Sequence, residues 1–310
     1  MLYNFSASVL RSIGNTQKPM YYIILGGIIK LVFTVILILL FDWTVEAVGI
    51  ATIISTVVMA LLAFRTLLKS KEYITLDFKN IKFDLKELKE ILRVGIPAGL
   101  QTSMYAFANI VIVSAVNSFG ADAATGVSIA NQFDGIIYQI ALAPSYAIAP
   151  YVAQNVGAKN FKRVKNSIMK AIYITIAFCA TFGFLSAIFS RELSSLMTTS
   201  PSIIEFARQK MIIVSSTYFI CGINDVMSGV LRGIGKPVLP TIYAFIFFFG
   251  LRIVWVYAIF PLCPNLTFLY TVWPVGWSLM IVCSVISFFI AFPKVQERSY
   301  QNTSQVTREA

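Results

Sequence analysis

The sequence has no histidine, and its four cysteines, Cys179, Cys221, Cys263 and Cys283, are scattered without metal-ligand spacing. Zinc, haem-histidine and Ser-His-Asp sites are excluded by that inventory. Charge is scarce as well, since Asp, Glu, Lys and Arg together make up 13% of the chain. No glycine-rich phosphate loop is present. The first residues run straight into a charged turn rather than a small-residue cleavage site, so no cleavable signal peptide is expected. A membrane enzyme would need clustered acids, histidine or cysteine at one face, and the expectation is that the chain is not an enzyme and carries no metal or cofactor.

What is abundant is apolar surface. The chain is 57% hydrophobic and its mean hydropathy is +0.77, values of a protein that lives in a bilayer. A hydrocarbon core needs about 20 apolar residues per helix. Stretches of that length that avoid charge fall at 20–41, 47–64, 94–117, 127–157, 168–189, 211–231, 238–260 and 268–292. These predict eight full transmembrane helices, with 2–14 as the tail of a ninth. A barrel would show strands of roughly ten residues alternating polar and apolar, and these runs are continuous. The fold class read from them is an all-α polytopic membrane protein.

Basic residues gather in every second connection: Arg11 and Lys18, then 65–93, then 159–170, then Arg232 and Lys236, then the tail with Lys294, Arg298 and Arg308. The intervening connections are poor in them. Lys and Arg are retained on the cytoplasmic side, so this alternation predicts a multi-pass protein with its C-terminus inside; the membrane expected for it is the bacterial cytoplasmic membrane. The net charge of +11 is spread over short loops at one face, with no recognition motif. Its expected partner is the lipid bilayer, not nucleic acid.

A repeated phrase organises the chain. Val9-Leu10-Arg11-Ser12-Ile13-Gly14 with Lys18-Pro19 returns 221 residues on as Val230-Leu231-Arg232-Gly233-Ile234-Gly235 with Lys236-Pro237. Each copy lies between apolar stretches, which points to two related halves. Only eight residues precede the first copy, so the first half is expected to be cut short. Between the halves, Asp84 and Glu87 form a capping-box arrangement, and Leu85, Leu88, Ile91 and Leu92 recur at helical spacing. This predicts a short amphipathic helix on the cytoplasmic surface ending at Gly95 and Pro97; a solvated loop is the other reading. The resulting division is 1–64, a linker 65–93, 94–293, and a tail 294–310.

At this point the residues resemble a known family. The two turns, the run Val152-Ala153-Gln154-Asn155-Val156-Gly157-Ala158-Lys159-Asn160 with Arg163, Val48-Gly49-Ile50-Ala51-Thr52, Gly95-Ile96-Pro97-Ala98 and Trp273-Pro274-Val275-Gly276-Trp277 are similar to the multidrug and toxic compound extrusion (MATE) transporters. The likeness covers nearly the whole chain. It implies a monomeric protein of two six-helix lobes that alternates between inward-open and outward-open states. Such proteins expel organic cations or other small amphipathic compounds against Na+ or H+. Residues 2–14 would then end the fourth helix, 20–64 would be the fifth and sixth, and 94–292 the complete second lobe, an N-terminally truncated arrangement. Other readings are a lipid-linked oligosaccharide flippase of the same superfamily, which would need a larger basic cavity, and an inactive fragment.

Polar residues inside spans are the candidates for function, because each costs free energy in lipid. Tyr218, Cys221, Gly222, Asp225, Ser228, Gly229 and Arg232 recur at three- and four-residue steps and form one small, polar face. Asp225 reads either as a cation or proton site or as a partner of Arg232. Asn131, Gln132 and Asp134 in one span and Gln101, Tyr105 and Asn109 in another read as a substrate surface or as interhelical packing. Lys30 and Arg252 sit mid-span, and a lone cation there costs about 3 kcal/mol or more. Their expected partners are the two intramembrane acids, Asp134 and Asp225, with Lys30 buried between helices; Arg11 and Arg232 are the matching charges of the two turns. The family's acid in the seventh helix has no counterpart between Gln101 and Asn109, and Asp225 lies nearer the turn than the tenth-helix acid of other members. The expected mechanism is exchange, in which protonating or sodium-loading a buried carboxylate biases the two-lobe equilibrium, with Pro97, Pro144, Pro150 and Pro274 interrupting spans where backbone reorders.

Overall fold

The computed structural model describes residues 1–43, 45–69 and 84–309, with the side chains of 298 and of 300 onward left out. Among the described residues every regular element is helical, and eight helical stretches are long and apolar enough to cross a membrane. The eight expected spans are thus all present. The part of the expected linker at 70–83 lies outside the described residues. The chain divides into two compact units, Met1–Asp84 and Leu85–Ala310.

The first unit holds α1 (Leu2–Ser12), α2 (Gln17–Phe41) and α3 (Val45–Lys69). Tyr3, Ala7, Ala60 and Ala63 form its core, with Tyr22 and Met59 against them. The Tyr3 hydroxyl donates to the Pro19 carbonyl at 2.8 Å. The side of α2 turned inward runs through Tyr22, Gly26 and Ile29. Lys30 lies about 100° beyond Ile29 on the helical wheel and is exposed within this unit. That corrects the expectation of burial between helices. Most other α2 side chains are exposed apolar groups such as Ile28, Leu31 and Leu39, which hydrocarbon solvates as well as a protein core would.

The second unit holds α4 (Leu85–Asn117), α5 (Ala121–Gly157), α6 (Phe161–Ile188), α7 (Ser190–Ser195), α8 (Pro201–Val214), α9 (Tyr218–Gly233), α10 (Val238–Tyr243), α11 (Leu251–Val254), α12 (Leu266–Tyr270) and α13 (Val272–Glu309). Starts are marked by side chains that satisfy free N–H groups: the Asn160 carboxamide accepts from the Arg163 amide at 3.2 Å, and Asn265 does the same for Thr267 at 2.8 Å. Helix α9 packs on α5, α6 and α13, and Asn224 through Leu231 are all buried. The polar face read from the sequence is therefore one side of a helix that is enclosed all round.

Two expectations are corrected. Helix α4 does not end at Gly95 and Pro97 but runs from Leu85 to Asn117, so the amphipathic segment is its first turns. Hydrogen bonding likewise continues through Pro144 and Pro150 in α5. Proline removes one N–H and so frees only the carbonyl four residues earlier, leaving the rest of each helix bonded; at Pro97 the Thr241 hydroxyl adds a tie from α10, donating to the proline's own carbonyl at 2.8 Å. The irregular backbone lies instead in the span Val238–Leu262, where Ala244–Gly250 and Trp255–Ile259 are π-helical on either side of α11. Helix α13 continues through the expected tail to Glu309.

The repeated phrase folds the same way twice. Gly14 and Gly235 have φ of 86° and 78°, a region glycine enters without a Cβ penalty. In the first copy the Gly14 N–H bonds the Arg11 carbonyl and the Asn15 N–H bonds that of Leu10; in the second, Gly235 bonds Arg232 and Lys236 bonds Leu231. Both helices thus stop in the same six-to-one bonded cap.

Candidate functional site

The polar residues of the second unit form three connected groups within it. At the C-terminal end of α9, where a cation meets the negative end of the helix dipole, Arg232 donates to Gln101 Oε1 at 3.0 Å and to Ser145 Oγ at 3.3 Å. The Ser145 hydroxyl in turn donates to the Asp225 backbone carbonyl at 2.7 Å. One guanidinium therefore ties α9 to α4 and α5. We expect Arg232→Lys, which loses the planar fork that serves the two acceptors from separate nitrogens, to lower unfolding stability by about 1–2 kcal/mol. A detergent-solubilised thermal melt checks this, and an unshifted midpoint would refute it.

Two turns back along α9, the Asp225 side chain is 5% exposed. Among the described residues no cation lies within 4.0 Å of its carboxylate, so the expected pairing with Arg232 is not a direct ion pair. Its one side-chain contact is a long one, 3.9 Å from Cys221 Sγ. Tyr105, Tyr138 and Cys221 stand within electrostatic range of it. Gln101 Nε2 reaches the Tyr105 hydroxyl at 3.4 Å, and the Tyr105 ring meets Phe248 edge-on with centroids 4.2 Å apart.

The third group is built on α5 and α8. Asp134 Oδ2 accepts from Lys210 Nζ at 2.8 Å and Asp134 Oδ1 from Ser215 Oγ at 2.7 Å, and Lys210 also donates to Asn131 Oδ1. Lys210 is 2% exposed. The partner expected for Asp134, a mid-span Arg252 or Lys30, is thus corrected to Lys210, one residue before the span 211–231 read from the sequence. Arg252, also buried, donates to Asn109 Oδ1 at 2.7 Å. Its guanidinium carbon lies 5.6 Å from the centre of Phe248 and 5.0 Å from that of Trp273. Lys210 approaches the same Trp273 ring at 5.8 Å. An amide oxygen and two aromatic faces, not a carboxylate, satisfy this arginine.

Of the residues singled out from the sequence, Asp134 and Asn131 meet in one network, Gln101 and Arg232 in another, and Asn109 pairs with Arg252. Tyr218 is buried with its ring centre 5.4 Å from that of Trp277, within range of both Asp134 and Arg252. Gln132 is exposed because it stands about 200° from Asp134 round α5. Arg11 and Lys30 belong to the first unit and are exposed there. Lys210, Ser145, Ser215 and Trp273 were not foreseen. A signal for Lys210 exists: it stands among Ala207, Met211 and Val214, the buried positions of α8. Asn109 and Asn131 are themselves exposed, so two amides on the surface of the unit each cover a buried cation. Among the described residues no group of three Cys, Asp or Glu side chains is arranged to hold a metal ion.

Comparison with known proteins gives consistent matches. A model of the MatE family matches residues 97–258. The probable multidrug resistance protein YoeA of Bacillus subtilis is 26% identical over 259 residues, 81% of this chain and 56% of that protein. The multidrug export protein MepA of Staphylococcus aureus is 25% identical over 301 residues, 96% of this chain and 64% of its own length. The FAD transporter of Shewanella oneidensis is 23% identical over 235 residues, 74% of this chain and 51% of its length. Among solved structures, the Vibrio cholerae MATE transporter VcmN superimposes with a TM-score of 0.82 at 19% identity, covering 95% of this chain and 67% of that one. The chain spans little more than half the length of the first of these curated relatives.

Proposed function

Because the chain belongs to the MatE family of membrane transporters, we propose that it serves the efflux of small amphipathic or cationic compounds by antiport against Na+ or H+, with alternating access between two lobes. The family is one of transporters rather than enzymes, and the eight candidate spans make the protein multi-pass. The proposed orientation puts the basic connections and the C-terminus in the cytoplasm of a bacterial cell.

The single observation that carries the coupling step is the Asp225 carboxylate, buried in a membrane-spanning helix with no cation within 4.0 Å among the described residues. A bare carboxylate in that setting is costly. Binding a proton or Na+ removes the cost, and losing it restores the cost, so occupancy of Asp225 biases which state the lobes adopt. Asp134 is less suited to exchange, since Lys210 already neutralises it. In this reading Asn109, Asn131, Gln132 and Thr102, exposed on α4 and α5, offer the substrate its hydrogen bonds. A second reading, an anionic amphipath as substrate, is favoured by Arg252, a buried cation without an acid partner.

The test is transport by the chain reconstituted into vesicles. Ethidium uptake should depend on an imposed Na+ or proton gradient and fall at least tenfold in Asp225→Asn. Uptake that ignores both gradients, or that is unchanged in the variant, would overturn the proposal. An anionic dye carried in place of ethidium would select the second reading.

A further inference from the structure

Three basic segments that are far apart in sequence converge on one cavity of about 480 Å³ in the second unit. Arg93 enters it from the first turns of α4, Lys236 from the repeated turn after α9, and Lys294 from α13. Ser287 adds a hydroxyl, Leu239 and Ile290 give an apolar wall, and among the described residues no carboxylate lines the space. The volume lies within the ~300–1,000 Å³ of small-ligand sites. Arg93 has one acidic neighbour, Glu90, at 3.6 Å, and both side chains of that pair are mostly exposed, so little of its charge is spent there. Lys236 and Lys294 are exposed and, among the described residues, belong to no ion pair within 4.0 Å.

The geometry points to a binding site for an anionic phospholipid. The charges stand where the last apolar turns of α13 and the first of α10 give way to polar sequence, which is the depth of a lipid phosphate. Ile290 and Val238, both exposed, continue the wall toward the hydrocarbon, where acyl chains lie. A basic pocket between membrane helices suits an anionic headgroup, and a soluble phosphate would leave the apolar wall without a partner. The lipid bridges the first turns of α4, the turn after α9 and the Lys294 region of α13; α9 carries Asp225 and Arg232, α13 packs on it and α4 holds the Gln101 partner of Arg232. Which leaflet supplies it follows from the orientation proposed above; the binding itself does not depend on transport.

Native mass spectrometry of the purified chain, titrated with phosphatidylglycerol or phosphatidylcholine, tests the site. Phosphatidylglycerol should be retained and phosphatidylcholine not. Each cation near a lipid phosphate contributes about fivefold in affinity, so Arg93→Gln/Lys236→Gln/Lys294→Gln should weaken retention on the order of a hundredfold. Lys18→Gln/Lys162→Gln/Lys170→Gln removes the same charge elsewhere and should leave it nearly unchanged. Equal loss in the two triple variants, or none in the first, would overturn the assignment. So would displacement of phosphatidylglycerol by an equal concentration of inorganic phosphate, because the acyl chains would then add nothing. Lys236→Gln and Lys294→Gln as single changes, each weakening retention about fivefold with an unchanged circular-dichroism spectrum, guard against misfolding of the triple; normal retention in both also counts against the site.

Discussion

Asp134→Asn is expected to cost the second unit about 3–5 kcal/mol, because it leaves the Lys210 ammonium buried with its countercharge gone. Lys210 is enclosed on all sides, and its two oxygen partners are Asp134 and Asn131. Replacing the pair together is a different matter. Asp134→Asn/Lys210→Met removes both charges and keeps the volume, so most of the loss should be recovered. Unfolding in bicelles by denaturant titration reads the three proteins side by side. A single variant as stable as the parent, or a double variant as weak as the single, would show that the pair is not what holds α5 to α8.

The second large effect concerns contact between α5 and α9. A Cβ on Gly229 would stand 2.7 Å from the Ser145 carbonyl oxygen and 2.9 Å from Ile148 Cγ2. The first obstacle is backbone, which cannot rotate away. Gly229→Leu should therefore push the two helices apart, break the Ser145 bonds to Asp225 and Arg232, and cost about 3 kcal/mol or more. Gly135→Leu is the control: it lies in α5, the other helix of the same pair, and nothing stands within 4 Å of the added carbon. Folded yield and melting temperature in detergent distinguish the two, and equal behaviour would refute the close-packing account.

The span pattern was readable because hydropathy is a property of consecutive residues, and no tertiary information is needed to see a run such as Ile28 to Leu40. The caps were readable for the same reason: the bonds at Gly14 and Gly235, and those of the residue after each, join positions five or fewer places apart. Pairing was not. An inventory of acids and bases matched Arg252 to a carboxylate, yet Asn109, Phe248 and Trp273 satisfy it, and which amide or ring lies across the helix interface is fixed only by packing. Lys210 was misplaced because its charge outweighs the burial of its neighbours in any hydropathy window. Pro97 misled because the rule that proline ends a helix assumes water as the competing partner, whereas in a membrane span the backbone has no better partner than the helix itself.

The contrast between α2 and α9 bears on how such a protein can change over generations. On α2, nearly any greasy side chain is interchangeable with its neighbour, so drift there leaves no trace in performance. On α9, a replacement at almost any position disturbs a contact on one flank or another, so change there has to arrive in coordinated sets.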